Sequence, residues 1–101
     1  MAVVRIVRFT VEPGRSREMQ ERRADLIAET SRRFPGLTET RLARVDEDGW
    51  VDQWRWESAG HMQAALDGVA TIPGAREAFA VVTDARAEVA EIVDEKTGSA
   101  R

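Results

Sequence analysis

All three tryptophans of this 101-residue chain fall within one short stretch, Trp50-Val51-Asp52-Gln53-Trp54-Arg55-Trp56-Glu57-Ser58. Side chains of an extended strand alternate between faces, so Trp50, Asp52, Trp54 and Trp56 share one side. Val51, Gln53, Arg55 and Glu57 take the other. At a rise of about 3.3 Å per residue, the indole row spans roughly 20 Å. A row of that length needs a large apolar layer against it. Packing does not explain the aspartate among the indoles, which makes Asp52 a first candidate for chemistry. Ser58 ends the strand and is suited to cap a helix that starts at Ala59.

The length fits one domain, taken as residues 1–94, with 95–101 as a polar, flexible C-terminal tail. The formal net charge is -3, and the arginines are interleaved with acids. That pattern argues against nucleic acid as a partner. There is no cysteine, which excludes thiolate catalysis, disulfides and cysteine metal sites. No leader-like opening and no membrane-length apolar run is seen, so a cytoplasmic protein with no membrane partner is expected.

The remaining stretches supply the layer that the tryptophans need. Ala2–Val11 reads as a strand rich in Val, Ile and Phe. Val3, Val7, Phe9 and Val11 lie on one face, interrupted by Arg5; Val4 and Ile6 lie on the other. After the Glu12–Arg15 turn, Ser16 is the expected N-cap of a helix over Arg17–Phe34. Its apolar stripe is Met19, Leu26, Ile27, Thr30 and Phe34, interrupted by Arg23, whose stem can pack while its head reaches water. Pro35-Gly36 stops it.

Leu37–Val45 reads as a second strand. A hairpin turn over Asp46–Gly49 joins it to the tryptophan strand, with Gly49 free to take positive φ. A helix from Ala59 to about Val69 turns Met62, Ala65, Leu66 and Val69 inward. Thr71 is placed to cap a continuation with Pro73 in its first positions, running on over Ala75–Val82 with Ala78, Phe79 and Val82 inward. Thr83-Asp84 breaks it, and Arg86–Val93 alternates as a fourth strand.

The order β-α-β-β-α-β predicts an α+β, ferredoxin-like fold: a four-stranded antiparallel sheet with helices on one face. The bare face retains apolar residues from the first and last strands, which a monomer seldom leaves in water. A face-to-face homodimer, the two sheets curling into a shared barrel, is the expected solution.

With this element order, Pro13-Gly14 before the long helix, Pro35-Gly36 after it and Trp56-Glu57-Ser58 closing the third strand, the chain resembles the antibiotic biosynthesis monooxygenase family. The resemblance runs from Val3 to Val93. It implies a dimeric α+β barrel with a pocket between sheet and helices in each subunit. It also implies relatives that oxidise anthrones to quinones without metal or flavin, beside haem-degrading members and related polyketide cyclases. In anthrone oxygenases, Trp56 would match a pocket tryptophan, Asp52 stands where those members carry Asn, and Arg76 matches an arginine of the last helical segment. A pocket tyrosine used by some has no counterpart, because the chain has no tyrosine. The haem-binding position of the degrading members falls near Leu66, which is no ligand for iron.

Four residues are thus candidates. Trp56 offers an indole face for a planar substrate, or simply fills the core. Asp52 serves as a base if buried, or pairs with an arginine. His61, the only histidine, sits in the first turn of the second helix, where the dipole favours neutral imidazole and base chemistry; surface or structural roles are the alternative. Arg76 supports a developing oxyanion, or pairs with Glu77 or Asp84 at the surface. Asp46, Glu47 and Asp48 lack calcium-loop spacing, so no metal site is expected. The reading that follows is a cofactor-independent monooxygenase for an aromatic, polyketide-like (anthrone-type) substrate. A polyketide cyclase or isomerase, and a non-catalytic dimeric barrel that binds a small hydrophobic ligand, are the rivals.

Overall fold

Two strands make the middle of the sheet. In the computed structural model, which describes residues 1–96, β1 (Val3–Thr10) and β3 (Gly49–Trp56) pair antiparallel. Their register sets Phe9 opposite Trp50, Val7 opposite Asp52, Arg5 opposite Trp54 and Val3 opposite Trp56. Partners across a ladder share a face, so the alternation of β1 and that of β3 coincide. β2 (Leu37–Arg44) flanks β3, and β4 (Thr83–Glu91) flanks β1, giving the order β2-β3-β1-β4 with every pair antiparallel. The helices α1 (Ser16–Arg33), α2 (Ala59–Asp67) and α3 (Ala75–Ala80) complete the expected ferredoxin-like arrangement.

The helices cover the tryptophan face. One cluster joins Phe9, Val11 and Trp50 of the sheet region to Met19 of α1 and Val81. A second joins Val3 and Trp56 to Met62 and Ala65 of α2. A third, within the helix layer, holds Leu26, Ile72, Ala75 and Ala78. Trp50 lies beneath the Arg44 guanidinium, 4.7 Å from ring centroid to carbon, as a cation–π pair.

Several local expectations are revised. Ser16 does not cap α1: a 3-10 turn over Pro13–Arg15 leads directly into the helix, with Arg15 at the cap position and no side-chain cap bond. Arg15 Nε instead donates to Glu18 Oε1 at 2.9 Å. Gly49 takes no positive φ. The hairpin is tied by Asp46, whose Oδ1 accepts from the N–H groups of Asp48 (3.2 Å) and Gly49 (2.7 Å). A Cβ at position 49 would stand 2.8 Å from that oxygen, so any other residue would have to displace the Asp46 carboxylate that ties the turn. Thr71 closes a 3-10 turn on Gly68, with its Oγ1 donating to the Gly68 carbonyl, and α3 starts only after Gly74. Phe79 is 53% exposed rather than inward. The predicted break at Thr83-Asp84 becomes an irregularity at the start of β4, where Asp84 takes φ 54°. Ser58 caps α2 as expected, accepting from the His61 N–H.

On the other face no helix lies over the sheet among the described residues. Val4, Ile6 and Val51 are only half-buried there, and β4 is exposed along its whole length. Glu95 reaches back to this face and pairs with Arg55 through two bonds of 2.7 and 2.6 Å. The rest of the expected tail, 97–101, lies outside the described residues. Among the described residues no helix is long and apolar enough to cross a membrane.

The end of α1 generates a test. Pro35 forces Phe34 into extended backbone, and Gly36 follows at φ 106°, with its Cα against His61. An alanine there would bring its Cβ within 2.6 Å of the His61 ring. Gly36→Ala is expected to lower stability by about 1–3 kcal/mol in urea unfolding. Gly14→Ala, where nothing lies within 4 Å, is the control expected to change it little.

A candidate ligand cavity between sheet and helices

The three apolar clusters do not merge. A hollow of about 560 Å³ lies among them, and side chains from all three line it. Its floor is the helix-facing side of the sheet: Arg5, Val7 and Phe9 from β1, Asp52, Trp54 and Trp56 from β3, and Ala85 and Ala87 from β4. The α1 side chains Met19, Arg23, Leu26 and Thr30 and the segment from Ala65 to Val82 form the walls and roof. Alanines at 65, 78, 85 and 87 leave the room that larger side chains would fill. A space of this size suits a small organic ligand.

Trp54 and Trp56 form one wall, with ring centroids 6.5 Å apart and planes 31° from parallel. Trp56 is 3% exposed. Asp52 lies beside them and is held from three directions. Arg23 of α1 grips it with both faces of its fork, Nε to Oδ2 at 3.0 Å and Nη2 to Oδ1 at 2.9 Å. Trp54 Nε1 donates to Oδ1 at 3.0 Å. Both partners of the ion pair are largely withdrawn from water, at 17% and 14% side-chain exposure. A bidentate guanidinium–carboxylate pair in such a setting is geometrically strict. Asp52 has about four acceptor sites, so roughly one remains for a ligand.

Of the four residues singled out from sequence, the structure brings Asp52 and Trp56 together in the cavity and leaves the other two outside it. His61 shares a hydrogen between its Nδ1 and Ser58 Oγ at 2.7 Å, while its backbone N–H donates to that same oxygen at 3.1 Å. Its ring packs on Gly36, so it joins the end of α1 to the start of α2 and does not line the hollow. Arg76 is exposed on α3; its neighbours Ala75 and Ala78 point inward in its place. It makes no ion pair among the described residues. Among those residues no cluster of side chains is arranged to hold a metal.

Two arginines enter the site that the sequence does not place there. Arg23 breaks the apolar stripe of α1, and Arg5 breaks the apolar face of β1. Both breaks point into the cavity. Burial pulls the Arg5 guanidinium below the usual arginine range, while the negative charge of Asp52 acts in the opposite sense.

The Arg23–Asp52 pair is testable by stability. Arg23→Ala leaves a carboxylate in the cavity without its main partner, and a loss of about 3 kcal/mol is expected in urea unfolding. Replacing both partners with apolar residues of similar size, Arg23→Met with Asp52→Leu, is expected to recover to within about 1 kcal/mol of the parent.

No family model matches the sequence, and no curated protein does. Solved structures do resemble this chain in shape. SnoaB, a cofactor-independent oxygenase from Streptomyces nogalater, superimposes with a TM-score of 0.76 at 22% identity, over 93% of this chain and 95% of its own. A presumed antibiotic biosynthesis monooxygenase from Caulobacter crescentus gives 0.75 at 15% identity, over 92% and 91%. A dimeric ferredoxin-like protein from an uncultured marine organism gives 0.73 at 14% identity, over 97% and 93%. The chain thus has the fold of structures named for antibiotic biosynthesis monooxygenases, the family its sequence resembles.

Proposed function

We propose that this protein is a cofactor-independent monooxygenase acting on a flat, anthrone-type aromatic of polyketide character. The observation that carries this reading is the hollow itself: about 560 Å³, walled by Trp54 and Trp56, with a carboxylate fixed beside the indoles. The likeness in fold to SnoaB, named a cofactor-independent oxygenase, supports it.

The chemistry asks little of the protein. An anthrone methylene is acidic because the charge left behind spreads into the ring system as a phenolate. That electron-rich anion reduces dioxygen directly. One oxygen atom becomes the new carbonyl, the other leaves as water, and the substrate supplies all four electrons. Trp56 and Trp54 hold the ring in place and exclude water, which strengthens every electrostatic contact in the site. Asp52, the carboxylate on the cavity floor, takes the methylene proton on its remaining acceptor site. Neither His61 nor Arg76 has a part, because neither lines the cavity.

The test is oxygen uptake by metal-free protein supplied with dithranol. Uptake above the buffer rate is expected, with one atom from labelled dioxygen in the product carbonyl. Trp56→Ala is expected to lower kcat/KM at least about tenfold, or 1.4 kcal/mol of transition-state stabilisation. Uptake no faster than buffer removes the reading. Proton transfer and product release without labelled oxygen would point to a cyclase or isomerase.

We also infer a homodimer formed through the sheet face that no helix covers. Half-buried Val4, Ile6 and Val51 and the exposed β4 support it, as does the likeness to a protein named dimeric. Equilibrium sedimentation at micromolar concentration is expected to return twice the 11.3 kDa chain mass. A species of single-chain mass would refute it.

A further inference from the structure

Arg5 is the charge that the cavity leaves uncompensated. It stands opposite Trp54 across the central strand pair and lines the hollow. It makes no hydrogen bond or ion pair with any described residue; three of the roughly four acceptor sites of nearby Asp52 go to Arg23 and Trp54. The charged groups facing the hollow are Arg5, Arg23, Asp52 and Asp84. Asp84 is at the exposed mouth, where its Oδ2 accepts from Thr10 Oγ1 at 3.5 Å, and water screens it. The interior therefore holds two guanidiniums and one carboxylate.

Nothing in packing calls for this. Val3, Val7 and Phe9 share the face, and an aliphatic residue at position 5 would continue it without the cost of desolvating a charge. A guanidinium presents a planar fork of N–H donors that matches a carboxylate with two parallel bonds. In an apolar surround such a bond is far stronger than in water.

We propose that Arg5 is a specificity-determining residue and that the cavity takes a planar aromatic bearing one carboxylate. Arg5 binds the carboxylate, and Trp54, its neighbour across the ladder, receives the ring that carries it. Facing residues in such a pair hold their Cβ atoms about 5 Å apart, so charge and ring are held by adjacent side chains. The ligand's single charge balances the interior. The proposal rests on the reading of the hollow as a site for flat aromatics and adds the charge of the ligand to it.

Titration calorimetry with two non-oxidisable probes tests this: anthraquinone-2-carboxylate and its uncharged isostere anthraquinone-2-carboxamide. The carboxylate is expected to bind at least tenfold more tightly. Arg5→Met is expected to abolish that preference while carboxamide affinity stays within about twofold. Arg5→Lys, which keeps the charge but loses the fork, is expected to retain part of it. Equal affinities in the parent protein overturn the proposal without need of any variant. So does a preference that survives Arg5→Met, or failure of both probes to bind. A carboxylate preference alongside no oxygen uptake from dithranol would leave the anion site standing and remove the oxygenase.

Discussion

One ion pair ties the helix layer to the sheet beside the hollow. Arg23 comes from α1 and Asp52 from β3, and their two bonds span the hollow between. The hydrophobic effect alone would draw the two apolar layers together until no space remained. Two charges paired and largely withdrawn from water fix how α1 sits over β3, because sliding the layers apart would leave a desolvated charge without its partner. The bond from Trp54 Nε1 extends the same anchor to the indole wall. The Trp54 ring has few orientations that keep this bond, so the wall is set before a ligand arrives.

The space itself comes from how the core is divided. Phe9, Met19 and Trp50 close one end, Val3, Trp56 and Met62 close the other, and Leu26, Ile72 and Ala78 lie overhead. Each group is buried on its own account, so the apolar burial of the fold does not require the middle to be filled. Alanine at the facing positions of α2, α3 and β4 keeps the middle open. Cavity and core are therefore complementary uses of one face.

How much of this was legible in the sequence depends on the range of the interaction involved. The strands and their alternation are local, and the row Trp50, Asp52, Trp54, Trp56 emerges on one face as read. Ser58 as a cap is local too. What local pattern cannot supply is register and helix phase. Arg5 and Arg23 read as blemishes on apolar faces; only the pairing of Val7 with Asp52, and the seat of α1 above it, turns them into the charged part of a site. Arg76 is a candidate through the family resemblance, yet α3 begins after a left-handed Gly74, and Ala75 and Ala78 face inward. His61 has the right chemistry but is tied up by Ser58 and Gly36, partners nearby in space rather than on the cavity wall. A glycine after three acidic residues suggests positive φ, whereas Gly49 takes none and instead leaves the Asp46 carboxylate its place in the turn.

The three indoles occupy unlike settings. Trp50 lies under Arg44, apart from the hollow; Trp54 donates to a carboxylate at the cavity wall; Trp56 is buried with its face along the same wall. Emission from the last two is expected to respond to whatever enters, while Trp50, which does not line the hollow, supplies a steady background. The protein thus carries its own optical gauge of occupancy, with an internal reference, and needs no added dye.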